Sequence, residues 1–301
     1  MIAIYLGLFL LAAATFVFEI SLTRIFSVAQ FYHFAFMAVS LALLGFGASG
    51  SLLTLWPRLG RGRWPRRLAW LAAGFGLSVP ASYLFTNAIP FDSYSIAWDP
   101  RQAVYLLLQY LALVVPFAFS GLVVSIPLAA AAERANRIYA ANLAGSAAGC
   151  LLAVLLLPWL GGPGTIAAAG LLGWLGAAAF AWGRVRAVGA GLRPAPTRPA
   201  PTPTLAILGY LAGTALLVWL TLVRPPFLDV RLSPYKGLSQ ALRYPGARVI
   251  FTGWNAFSRV DLLRSPGVRQ LPGLSYTSVS YTHLRAHETR HDLVCRLLLE
   301  K

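Results

Sequence analysis

FAFSGLVVSIPLAAAAERANRIYAANLAGSAAGCLLAVLLL, residues 117 to 157, decides the fold of this chain. Two long apolar runs are joined by one short charged elbow, Glu133-Arg134-Ala135-Asn136-Arg137. Runs of this length exceed what a soluble core helix needs, and ionisable side chains are so costly in hydrocarbon that they collect at a water-facing turn. The stretch therefore reads as a transmembrane helical hairpin whose elbow marks one membrane face.

Outward from the hairpin the same pattern repeats. Apolar spans are expected over about 2–20, 32–56, 68–88, 103–131, 137–159, 163–183 and 205–223, seven in all. The fold class is an all-α polytopic membrane protein with a short β-rich segment after the last span. Composition agrees: 58% of the 301 residues are hydrophobic and 11% charged, with a mean hydropathy of +0.67, so a soluble domain would expose large apolar areas. The lipid bilayer is the expected partner. The formal charge of +16 does not mark a nucleic-acid binder, because the basic residues sit in short clusters between apolar runs. Cys150 and Cys295 offer neither a disulfide framework nor a metal-ligand spacing. The N-terminal run lacks a basic leader region and a cleavage site before Glu19, so it is read as a retained span.

Charge also orients the chain. Arg58, Arg61, Arg63, Arg66, Arg67, Arg134, Arg137, Arg184, Arg186, Arg193 and Arg198 fall on one set of loops, and Arg24 and Arg101 on the other. The positive-inside rule then puts the N-terminus in the cytoplasm and residues after Arg224 outside. The run from Ala103 to Ala131, broken by Pro116 and Pro127, is the expected place for irregular or re-entrant backbone.

Polar and glycine positions supply the candidate sites. Glu19 and Arg24 form an intramembrane polar pair that binds a head group, locks two helices or snorkels at the interface. His33 reads as an interfacial residue. Gly45-Phe46-Gly47-Ala48-Ser49-Gly50 matches a dinucleotide fingerprint literally, but it lies mid-span, where glycines let helices approach. Gly145 and Gly149 read the same way, and such small-residue faces also offer a route to homo-oligomers. Asp92, Tyr94, Trp98 and Asp99 suit an aromatic belt on a non-cytoplasmic loop. Residues 192–204 form a Pro-rich, semi-rigid linker. Beyond Arg224 the chain turns polar, with β-rich runs at Arg248–Thr252 and Ser258–Arg264 around Gly253 and Asn255, so short strands and a hairpin are expected.

FEISLTRIF, the glycine-rich second span, ERANRIYAANLAGSAAGC and SPYKGLSQALRYPGARVIFTGWNAFSRVDLLRS together resemble the multi-spanning, spermidine-synthase-like proteins of bacteria. The resemblance covers residues 1 to about 277. It implies a multi-pass protein of the bacterial inner membrane, with a membrane body, a β-module over 224–278 and then a Rossmann-like domain using S-adenosylmethionine or its decarboxylated form; a domain drawing on a soluble nucleoside cofactor is expected to face the cytoplasm, the opposite side from the one the charge count gives. It also implies cofactor contact at Tyr235 and Lys236, which stand where the family's Ser-x-Tyr-Gln stretch has its tyrosine and glutamine. Lysine for glutamine is a departure, since a donor and acceptor becomes a donor only, and it argues against ordinary aminopropyl transfer. No glycine-rich nucleotide loop lies between Arg224 and Lys301, so catalytic residues are not identified and this chain is expected to be inert. The rival reading is a transporter-like or lipid-binding body with a non-catalytic β appendage.

The tail contains His287-Glu288-Thr289-Arg290-His291, an H-E-x-x-H match that in isolation reads as a zinc site. No metal is expected there, because VSYTHLRAHET at 279–289 and DLVCRLLL at 292–299 resemble, codon by codon, a translated sequencing adapter. Residues 279–301 are accordingly expected to be artefactual, with the natural protein diverging near Ser278.

Overall fold

The structure, a computed structural model, describes residues 2–30, 33–60, 64–189, 203–265 and 284–288. Its helices are α1 (Ile2–Ala29), α2 (His33–Leu55), α3 (Trp64–Ala88), α4 (Pro100–Ala130), α5 (Ala135–Gly189), α6 (Pro203–Val223) and the short α7 (Gly237–Ala241). Strands β1 (Arg248–Trp254), β2 (Arg259–Arg264) and β3 (Leu284–Glu288) follow. Helices α1 to α5 each contain a stretch long and apolar enough to cross a membrane, and α6 is a shorter apolar helix over its described residues. The architecture is that of a helical membrane protein.

The centre of the bundle is α1, the N-terminal helix. Leu8, Leu11, Ala14, Val17, Phe18, Leu22 and Ile25 bury one broad face of it. Helix α4 meets it through Phe18 and Phe117, with ring centroids 5.2 Å apart, and through the Thr15–Ser120 hydroxyl pair at 2.7 Å. Helix α5 meets it twice. A Cβ on Gly145 or Gly149 would collide with the backbone of Phe9 or Ala13, whereas Gly162 lies against Ile25 and Gly176 against Gly7 and Leu11. The first half of α5 therefore runs parallel to α1 and the second half returns antiparallel. The reversal is at Gly161, whose φ of 66° and ψ of 176° break the helix in a region that side chains other than glycine disfavour. A straight 55-residue helix would reach about 80 Å, well over the roughly 30 Å hydrocarbon core. Two antiparallel limbs remove that mismatch. Helix α6 packs on the second limb, with Trp174 and Tyr210 stacked at 5.3 Å and Trp174 Nε1 donating to Thr214 Oγ1 at 3.0 Å.

Two expectations need correction. Residues 103–131 are neither irregular nor re-entrant: α4 is one helix over Pro100–Ala130 with Pro116 and Pro127 inside it, opened by the Asp99 cap. Each proline removes one backbone donor, and the remaining ladder carries the helix through. Residues 224–247 are not strands either. They form a 3-10 turn at Pro226–Leu228 and the single turn of α7, because Leu238 and Ala241, three apart, bury together against Leu263 of β2. The hairpin stands as expected. β1 and β2 pair antiparallel with a bulge between Val249 and Phe251, and Asn255 Oδ1 accepts from the amides of Phe257 and Ser258 to close the turn. β3 adds to the free edge of β2, a pairing made by backbone groups that any extended segment supplies. His287 and Glu288 thus sit in a strand rather than on a helix, and residues 289–291 lie outside the described residues, as does the 192–202 part of the Pro-rich linker.

Alternation of the helices sorts the turns to two ends. The 3-10 turns at Pro57–Leu59 and Ala132–Arg134 share one end, where Arg67 Nη1 donates to the carbonyl of Leu59 at 2.6 Å. The last turns of α1 and α3, the Gly161 reversal and residues 224–264 share the other.

Candidate junction site

Residues 226–257 are seated on the helix ends by contacts from four separate elements. Tyr83 and Asn87, one turn apart at the end of α3, face the same way. Tyr83 OH donates to the carbonyl of Leu228 at 2.7 Å. Asn87 donates through Nδ2 to the carbonyl of Asp229 at 2.7 Å and accepts the amide of Arg231 at 3.0 Å. At the end of α1 the last carbonyls have no intrahelical partner and take donors from the same segment. The amide of Ser233 donates to Ala29 at 2.8 Å, and Lys236 Nζ donates to Ser27 at 2.8 Å. Tyr235 lies 4.6 Å from Tyr94 between ring centroids. The indole of Trp254 covers Gly161 and Gly162, where a Cβ would approach it to 3.1 Å and 2.8 Å.

Between these contacts lies a partly open cavity of about 190 Å³, lined by α1, α3, the loop to α4, and residues 230–234. Its walls are apolar at Leu22, Ile25, Phe26 and Phe91, and its polar groups include Thr86, Asn87 and Gln109. Burial drops the Lys236 ammonium to about 8 from its ordinary 10.5, because the charged form loses water beside the bundle.

The residues singled out in the sequence separate here. Tyr235 and Lys236 are adjacent, but both face the helix ends: one packs its ring at a tilt against Tyr94 and the other caps α1. Glu19 and Arg24 share α1, and the ion pairs among the described residues do not join them. Five positions turn a helix by about 140°, so the two side chains leave on different faces, unlike residues three or four apart. Arg24 instead sets its guanidinium 5.9 Å from the Phe257 ring in the hairpin turn. Sequence reasoning missed Tyr83, Asn87 and Gln109; the available signal was Gln109 inside an otherwise apolar run and the cluster of polar residues, Ser82, Tyr83, Thr86 and Asn87, at the end of the third span. Among the described residues no three of His, Cys, Asp and Glu come together as metal ligands would. No protein-family profile, curated protein or solved structure matches this chain.

Proposed function

We propose that this chain is the membrane body of a spermidine-synthase-like transferase of the bacterial inner membrane, built on seven spans: α1 to α4, the two limbs of α5, and α6. Its role is to hold the 224–264 segment against the membrane surface, while a Rossmann-like domain beyond it binds S-adenosylmethionine or the decarboxylated form and carries the chemistry. One observation supports this above the others: the segment is bonded to the ends of both α1 and α3, through Ser233, Lys236, Leu228, Asp229 and Arg231. A loose linker would not be held at so many points, whereas a docking platform for a soluble domain is. Tyr235 and Lys236 act in this reading as docking residues that set the β-segment's position, and the lipid bilayer is the partner of the helical faces. Gly47 and Gly50, where a Cβ would meet nothing within 4 Å, leave α2 a face for a second copy.

The test is ligand binding by the protein encoded at the uninterrupted locus beside the 301-residue chain. Calorimetric titration is expected to show micromolar binding of one of the two nucleosides by the former and none by the latter. Binding by the short chain, or by neither, contradicts the proposal.

A further inference from the structure

We infer that the cavity between the outer ends of α1 and α3 is a binding site for a small, uncharged amphiphile, one with a hydroxyl or amide head and an apolar body. The inference stands on the helical body and is independent of the transferase reading. Thr86 lines the cavity, and its Oγ1 is buried and has no hydrogen-bond partner among the described residues. A buried hydroxyl left in that condition costs about 1–3 kcal/mol, and natural structures retain such groups where a ligand or water completes them. Gln109 stands beside it, 5% exposed. Its Nε2 donates to the carbonyl of Thr86 at 3.3 Å, which leaves Oε1 as an acceptor. Most of the other polar side chains are committed: Tyr83 to the carbonyl of Leu228, Gln30 to the hydroxyl of Ser93, Ser233 to the amide of Tyr235, Asn87 at both ends of its amide, and Asp92 to its own turn through the amide of Tyr94 and the hydroxyl of Ser95; Arg231 is exposed.

The capacity left over is one group that donates and accepts and one that accepts. That matches an alcohol or an amide. A charged ligand would lose its hydration against Leu22, Ile25, Phe26 and Phe91, and the two ionic groups of the wall, Asp92 and Arg231, are of opposite sign and leave no net counter-charge for either kind of ion, which is costly in a low-dielectric site. The size also selects. About 190 Å³ is roughly six times the volume share of a water molecule and below the about 300–1,000 Å³ of drug-sized pockets.

Photo-labelling of the detergent-solubilised full chain tests this, using two diazirine alcohols with the same head, one short and water-soluble and one long and membrane-partitioning. Saturable labelling mapped to residues 22–30 or 83–92, competed by hexanol, is expected from one of them, and which one labels separates a soluble source from a bilayer source. Hexanoate and hexylammonium are expected to compete about tenfold less well, the factor that one lost or unpaired hydrogen bond produces. Thr86→Val is expected to cut labelling by about tenfold while melting at or above the parent, because it removes an unsatisfied hydroxyl. Leu232→Trp, which fills the roof, is expected to abolish labelling and guards against a misfolded first variant. Labelling that does not saturate, as expected of a cavity holding water only, overturns the inference. So does labelling that Thr86→Val leaves unchanged, or that the charged analogues compete equally.

Discussion

Burial drops the Lys236 ammonium to about 8 while its Nζ caps the carbonyl of Ser27, so the docked segment responds to pH. The folded value lies below the unfolded one, near 10.5; between them the unfolded chain binds more protons than the folded chain, and stability rises with pH. The cost of burying the charge is fully present below about pH 8 and relieved by about pH 10.5. Protease protection of residues 224–264 is therefore expected to strengthen across that window, and Lys236→Met, which keeps the stem and removes the charge, to flatten the rise. A parent protein whose protection falls over that window contradicts the assignment. Glu19 gives a second prediction. Among the described residues Glu19 makes no ion pair to offset its place in an apolar helix, so Glu19→Gln is expected to raise thermal stability in detergent, by on the order of 1 kcal/mol. A lowered melting point would mean that the charge is paired.

Helix α1 and the α5 hairpin form the element pair on which the bundle depends, and glycines set their separation. A Cβ at Gly149 meets the carbonyl oxygen of Ala13, a backbone atom that cannot swing aside, whereas one at Gly50 meets nothing within 4 Å. Gly149→Val is thus expected to lose about 3 kcal/mol or fail to fold, while Gly50→Ala is expected to be neutral or to stabilise by up to about 1 kcal/mol through helix propensity. Equal melting points for the two variants would show that the limbs do not pack as described. The same glycines show what was legible in the sequence. The helical class, the elbow and the β1–β2 hairpin follow from local pattern, since hydropathy, charge and turn residues act within a few positions. The packing glycines were legible as a type but not one by one: Gly45 does meet Phe117 of α4, and Gly47 does not meet anything. That α1 lies at the centre was hidden, because an N-terminal apolar run reads the same whether it faces lipid or other helices. The junction was hidden for a different reason. Tyr83, Asn87 and Gln109 bond to main-chain atoms of Leu228, Asp229, Arg231 and Thr86, and a main-chain partner leaves no mark in side-chain order.

The whole molecule is polarised. Arg58, Arg67 and Arg134 mark one end of the bundle and residues 224–264 cover the other, so the positive-inside rule puts the covered end outside the cytoplasm. A soluble nucleoside cofactor made in the cytoplasm would then have to cross the membrane to reach a domain seated there, which ties the proposed chemistry to sidedness. In the proposed seven-span arrangement the chain runs from Arg134 along the first limb of α5, back along the second, and once more along α6 before it reaches Gln240, three passes in all, with both residues exposed. An odd number of passes puts the two positions on opposite faces whatever the loop charges do. The direct measurement is labelling of Arg134→Cys and Gln240→Cys, each in a background lacking Cys150 and Cys295, with a membrane-impermeant maleimide in intact and permeabilised cells. The account predicts that Gln240→Cys reacts in intact cells and Arg134→Cys only after permeabilisation. Reaction of both under the same condition would contradict the hairpin at Gly161, and with it the placement of the β-segment opposite the arginine-rich turns.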